Sequence, residues 1–321
     1  MAMARTVKHF VRASCTLLFS LFFTLLTLPL SPAGATTWEP EPAPRALTPA
    51  QQVFYPDLET YTPPRKRAPL LVVLTSGISW QEVSAEFSKN SDLKRYATAG
   101  MLGTVATADF TCVSQAVLTI QNGAAPAAST TCPQTKITGG KVDGIPGFSQ
   151  AGSQKEQVDP TSRGQLQGIL KAFGLKSQAI GPQAGLLLAD NQGKIANYQP
   201  LPATSSQLQT QVKSATKQSA LTVVDLSGIK EPAAALTMFE GALASLNPET
   251  ALISVSLTPA PTQNPAPYLL TYSSVDATGL VSSPTTNIPG LVTLADINAQ
   301  ILYQLQLPSR AENSGKTFKA S

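Results

Sequence analysis

The chain holds one histidine in 321 residues, His9, and that scarcity excludes more than any motif suggests. Histidine is the usual base beside a serine or cysteine nucleophile and the commonest metal ligand. If His9 leaves with a cleaved leader, Ser-His-Asp and Cys-His catalysis and His-ligated zinc are excluded together. Charge is scarce too. Asp, Glu, Lys and Arg make up 13% of the chain, about half the usual share. Cysteine is limited to Cys15, Cys112 and Cys132. Hydrophobic residues nevertheless reach 42%, enough for a core of ordinary size, so wholesale disorder is excluded.

Residues 1–35 have the three-part layout of a secretory signal peptide. Arg5, Lys8 and Arg12 stand without any acid, Thr16 to Leu30 is an apolar run, and Ser31-Pro32-Ala33-Gly34-Ala35 ends in a small-x-small pattern. The run of 15 residues falls short of the roughly 20 that a spanning helix needs, so cleavage is expected rather than retention as an anchor. Cys15 precedes the run, which argues against a lipid-modified cysteine at the cleavage site. Removing the leader lowers Lys plus Arg from 23 to 20 against 19 acids, a net charge of +1. The pI of 8.9 therefore belongs largely to the leader, and no nucleic-acid footprint survives. Arg65-Lys66-Arg67 reads as a solvated charge run. The expected location is secreted or bound to the cell envelope, with an unidentified envelope component as partner and membrane contact only through an uncleaved leader. In that oxidising setting Cys112 and Cys132 are expected to form a structural disulfide. Its loop of about 20 residues is worth about 3 kcal/mol on the loop-entropy model. A reactive Cys112 is the alternative, and it has no histidine to activate it.

Residues 36–69 contain eight prolines and no periodicity, and read as an extended linker. Order is expected from Leu70 to Pro308 as one α/β domain, with 309–321 a flexible tail. Leu70-Leu71-Val72-Val73-Leu74 is a strand buried on both faces. Asp92 to Ala97 reads as a helix stopped by Gly100, Met101 to Val105 as a strand, and Ser114 to Ile120 as a helix following Thr111. Residues 130–161 read as a surface excursion, and Asp159-Pro160 starts a helix ending at Gly174. Gln178 to Ile180 and Leu186 to Leu188 are expected as strands, and Ser205 to Lys217 as a helix. Leu221 to Asp225 is a strand, Ala233 to Leu246 a helix opened by Pro232, and Ala251 to Leu257 a strand. Tyr268 to Tyr272 is a strand and Leu294 to Leu305 an amphipathic helix. This alternation predicts a mostly parallel sheet with helices on both faces.

Ligands of such sheets gather at the carboxyl ends of the strands. Those ends offer Ser76, Asp109, Thr111, Asp225 and Ser254 to Ser256. A two-metal hydrolase needs about six carboxylate or imidazole ligands, and the set supplies two carboxylates. Phosphate-loop, dinucleotide and nucleophile-elbow signatures are absent. Gly100-Met101-Leu102-Gly103-Thr104, then Thr111-Cys112 with Leu118 to Gly123, and finally Gly290-Leu291-Val292-Thr293-Leu294-Ala295-Asp296-Ile297 occur in an order that resembles the alkaline phosphatase superfamily. Phe173 to Pro182 followed by Leu186 to Asp190 is similar to a stretch of exported actinobacterial proteins sharing that fold.

The resemblance spans roughly residues 70 to 308 and implies a three-layer α/β/α sandwich. It implies a metal-binding Asp after the first strand, where this chain has Thr75-Ser76-Gly77. It puts Thr111 at the place of the nucleophile and Asp225 at that of a metal-ligating Asp, with Asp109 a further vestigial ligand. Asp225-Leu226-Ser227-Gly228-Ile229 resembles an Asp-x-x-Gly-His motif in which Ile229 replaces the histidine. Ser254 and Ser256 stand near a missing Asp-His pair. Convergence of Ser76, Thr111, Asp225 and Ser254 on one space is a further expectation. From the residues alone, Thr111 also reads as a helix N-cap and Asp225 as a turn cap. Trp80 reads as a core aromatic.

The expected function is a non-catalytic binding or scaffolding module at the cell envelope, with no cofactor. One alternative is a phosphate- or sulfate-ester hydrolase using Thr111 and a divalent cation held by Asp225 and Asp109. The other is a polysaccharide-binding surface protein.

Overall fold

A computed structural model describes residues 42–64, 66–76, 78, 100–105, 112–124, 134–143, 145, 163–244, 246–257, 270–273, 279–308 and 314–320. The first elements are β1 (Arg45–Ala46), the single-turn helix α1 (Pro49–Gln52) and β2 (Thr60–Tyr61), which pairs antiparallel with β1. Next come β3 (Leu70–Thr75), β4 (Gly100–Val105) and α2 (Val113–Asn122), which ends at Gly123 in the left-handed region, φ 71°. β5 (Lys136–Thr138) and β6 (Lys141–Asp143) form a hairpin around Gly139 and Gly140, both at positive φ. α3 (Gln165–Ala172), β7 (Ser177–Ile180), α4 (Pro182–Leu187) and β8 (Tyr198–Gln199) follow. Then come α5 (Ser205–Gln218), β9 (Leu221–Asp225), α6 (Pro232–Leu243), β10 (Ala251–Ser256) and β11 (Leu270–Ser273). The last are β12 (Gly279–Ser282), β13 (Leu291–Val292), α7 (Leu294–Gln304) and β14 (Lys319–Ala320).

The main sheet runs β14-β12-β4-β11-β10-β3-β9-β7-β8, with β13 also on β4. β10, β3, β9, β7 and β8 are mutually parallel, while β11 and β14 run against their neighbours. All six residues of β3 are buried because both faces are covered. Leu70, Val72 and Leu74 pack with Val223, Ile253 and residues of α2, α3, α4 and α7. Leu71 and Val73 pack on the other side with Val224, Leu252, Leu208 and Val212 of α5 and Phe239 of α6. The architecture is the expected three-layer α/β/α sandwich.

Three expectations need correcting. Leu186 to Leu188 is not a strand: Leu186 and Leu187 form the end of α4. Gly181 at φ 93° and Pro182 at N1 start a helix there, and an apolar triplet carries no periodicity to choose between the two forms. Residues 42–69 are not an extended linker. Leu47 and Tyr55 are buried, and the Tyr55 and Tyr61 rings meet Phe173 edge-on at 5.8 and 5.1 Å. Their hydroxyls donate to the carbonyls of Pro308 (2.9 Å) and Gln306 (2.8 Å). Arg67 donates to the Leu305 carbonyl (2.9 Å) and the Tyr61 hydroxyl (2.5 Å) and so departs from the solvated reading, which Lys66, paired with Glu249 at the surface, fits. Third, residues 314–320 are not frayed, because Phe318 is buried and β14 pairs with β12. The helix expected at Asp92 to Ala97, the Asp159-Pro160 helix start and Trp80 lie outside the described residues.

Candidate functional site

Strand register decides which side chains share a space at the carboxyl edge. Asp225 stands opposite Leu74, and Ser256 opposite Thr75, with Ser76 one residue further. Side chains alternate along strands, so Asp225 lies on the face of Leu221 and Val223, toward α4. Ser254, Ser256 and Thr75 lie on the other face, with Leu71, Val73 and Leu252. Asp225 and Ser254 are therefore not brought together, and the expected convergence fails for this pair. Thr111, Asp109 and Cys132 lie outside the described residues. Cys112, not Thr111, occupies the N-cap of α2, with its sulfur 3.5 Å from the Ser114 hydroxyl.

The Asp225 carboxylate is 3% exposed and fully engaged. Oδ2 accepts from the Gln183 backbone N–H (2.8 Å), an otherwise unpaired donor in the first turn of α4. Oδ1 accepts from the Ser227 N–H (2.9 Å) and hydroxyl (2.5 Å), which closes the turn after β9. Burial pushes the Asp225 pKa up, and these hydrogen bonds oppose the rise. The Tyr198 phenol is pushed up as well, first by burial and then by the Asp225 charge. Gly181 is required beside this carboxylate, since an added Cβ would lie 3.0 Å from Asp225 Cβ at a φ of 93°.

Asp225 thus joins β9, α4 and the following turn as a cap. Ile229 donates its N–H to the Leu226 carbonyl (3.1 Å) and packs against the α5/α6 side of the core. Thr75 donates to the Val255 carbonyl (3.3 Å), and Ser254 Oγ is buried without a hydrogen-bond partner among the described residues. No three Asp, Glu, His or Cys side chains group to hold a metal among the described residues. Among the described residues, the donor chemistry at this edge does not fit a divalent cation: the Asp225 carboxylate is engaged by three donors, and its expected companion is an isoleucine.

Sequence reasoning missed Gln183 and Tyr198, which no spacing rule ties to Asp225. It also missed Gln121. This wholly buried amide donates to the Leu186 (2.7 Å) and Ala189 (3.2 Å) carbonyls and accepts from the Gly164 N–H (3.1 Å). Thr293-x-x-Asp296 before an apolar helix is also a capping box legible in the sequence, and the structure contains it.

No family model and no curated protein matches the sequence. Among solved structures, an alkaline phosphatase superfamily protein from Vibrio parahaemolyticus is similar at 11% identity. The match covers 79% of this chain and 70% of that one, with a TM-score of 0.47. TAB5 alkaline phosphatase, as a mutant with bound Mg, is similar at 9% identity over 76% of this chain and 99% of its own, TM-score 0.42. A cofactor-independent phosphoglycerate mutase from Thermoplasma acidophilum gives 7% identity over 74% and 99%, TM-score 0.35. At these identities and TM-scores below 0.5, the likenesses assign neither a family nor a residue role to this chain.

Proposed function

We propose that this chain is an exported cell-envelope protein whose α/β domain serves as a binding or scaffolding module and does not hydrolyse esters. The observation that carries the reading is the state of the Asp225 carboxylate. Both of its oxygens are engaged by Gln183 and Ser227, so the group that resemblance marks as a ligand acts as a structural cap. Ile229 supports the same reading, because a hydrocarbon side chain replaces the expected imidazole. The hydrolase alternative would need Thr111 deprotonated beside a cation, and the Asp225 carboxylate is already committed.

Metal analysis of purified mature protein, combined with turnover of a generic phosphodiester, tests the proposal. The expected result is substoichiometric metal and no turnover above background. Stoichiometric zinc or manganese, or turnover abolished by Thr111→Ala, refutes it. Retention on purified cell envelope, above that of an unrelated exported protein, is the expected sign of the binding role. Cys112 forms no disulfide among the described residues, and its expected partner Cys132 lies outside them; alkylation without reduction followed by mass measurement tests the bridge that export implies, with both thiols resisting labelling.

A further inference from the structure

The last described residues dock as an extended peptide, and every second one is held through its backbone. The N–H and hydroxyl of Ser314 both donate to the Gly123 carbonyl (3.1 and 3.0 Å). Lys316 donates its N–H to Asp296 Oδ1 (2.7 Å), and Phe318 donates its N–H to Gln300 Oε1 (2.8 Å). Lys319 and Ala320 then pair with Ser282 and Val281 of β12, capping an otherwise open sheet edge. Two positions carry side-chain selectivity. Phe318 is buried in the core, and a Cβ at Gly315 would overlap the Ala295 carbonyl.

The receiving surface is oriented by contacts that do not involve this segment. Asp296 Oδ2 accepts from the Thr293 N–H (2.8 Å), and Asp296 Oδ1 accepts from the Thr285 hydroxyl (2.6 Å). Asp296 and Gln300 are both wholly buried on α7, one helical turn apart. Release of the segment would leave two buried acceptors seeking backbone N–H donors two residues apart. An extended chain supplies that spacing, and a helix does not. Among the described residues, 314–320 are held chiefly by main-chain bonds, a two-residue strand and the buried Phe318 ring, a pattern suited to local opening without global unfolding.

We propose that the cleft between α7 and β12 is a peptide-binding site for an extended Gly-x-x-Phe segment. Residues 314–320 fill it in cis, and the same segment of a second copy fills it by exchange. This goes beyond the envelope-binding reading and does not depend on it.

The test uses full-length protein and a fluorescent peptide of residues 314–321. Gly315→Val expels the resident segment by steric overlap and leaves the receiving side chains unchanged. The peptide should bind this variant saturably and roughly 100-fold more tightly than wild type, where the site is free only about 1% of the time. A peptide with Phe318→Ala should not compete. Absence of saturable binding to the variant, equal binding to wild type, or equal competition by the Phe318→Ala peptide overturns the proposal. Hydrogen exchange on the wild-type chain tests it even if the variant does not fold. The Lys316 and Phe318 amides should exchange roughly 100-fold or more faster than those of Val72 and Val223, through local opening. Exchange of all four only with global unfolding overturns the proposal.

Discussion

Asp225→Asn separates a structural cap from a metal ligand. The substitution keeps shape and volume but replaces one acceptor oxygen with an NH2 group. The remaining oxygen can serve Ser227 or Gln183, so one buried N–H is left facing another donor. Losing one hydrogen bond to a charged group and stranding a buried donor costs about 1–3 kcal/mol. For a domain of this size that corresponds to a fall in Tm of roughly 3–10 °C. Chemical denaturation in EDTA measures the difference. A carboxylate kept for a metal would behave oppositely in metal-free protein, because removing an uncompensated buried charge relieves strain. An Asp225→Asn chain as stable as wild type in EDTA, or more stable, would refute the cap assignment.

The pH dependence carries an independent sign. Burial raises the Asp225 pKa in the folded state above its unfolded value, so the folded state binds the proton more tightly. That contribution to stability is fully present below the unfolded pKa, about 4, and is lost as pH rises through the folded pKa. Asparagine does not titrate. The stability margin of wild type over Asp225→Asn should therefore be widest near pH 4 and narrow as pH rises. A margin that widens with pH contradicts the assigned direction.

Other substitutions probe the parts that position this edge. Tyr55→Ala removes a buried ring from Phe173 and frees residues 42–69, which should cost about 3–5 kcal/mol in urea and expose that segment to limited proteolysis; unchanged stability would restore the linker reading. Gln121→Leu leaves the Leu186 and Ala189 carbonyls and the Gly164 N–H without their buried partner. The Leu186 carbonyl keeps the Ala189 N–H (3.4 Å), so at about 1–3 kcal/mol for each of the two groups left stranded the total loss should exceed about 2 kcal/mol, and a loss below 1 kcal/mol would show that water substitutes freely. Tyr55→Phe keeps the ring, deletes the hydroxyl bond to Pro308 and should cost about 0.5–1.5 kcal/mol, with the segment still protected from protease.

Much of the layered fold is legible in the order of the residues. Leu70 to Leu74 had to be buried on both sides, since no polar residue interrupts it, and Leu221 to Val224 and Ala251 to Val255 flank it in parallel as their composition implies. Proline at N1 marks the helix start at Pro232 because that signal is local, and the Thr293–Asp296 capping box, equally local, is the one that periodicity alone passed over. Residues 42–69 and 314–320 escape such local signals for the opposite reason. Their anchors are single aromatic residues: Tyr55 and Tyr61 reach carbonyls 253 and 245 residues away, and the Phe318 ring enters the core. Periodicity cannot reveal one-residue anchors.

At the site, the sequence by itself determined which chemical groups were present: no histidine beyond His9, an Asp after one strand, and Ile229 where an imidazole was expected. Only the tertiary structure decided what the Asp does. Register turned Ser254 to the opposite face of the sheet, and the start of α4 brought the Gln183 N–H to the Asp225 carboxylate across 42 residues of chain. Residue type sets which bonds a side chain is able to make. The packing of distant backbone donors, which no local pattern encodes, sets which ones it makes.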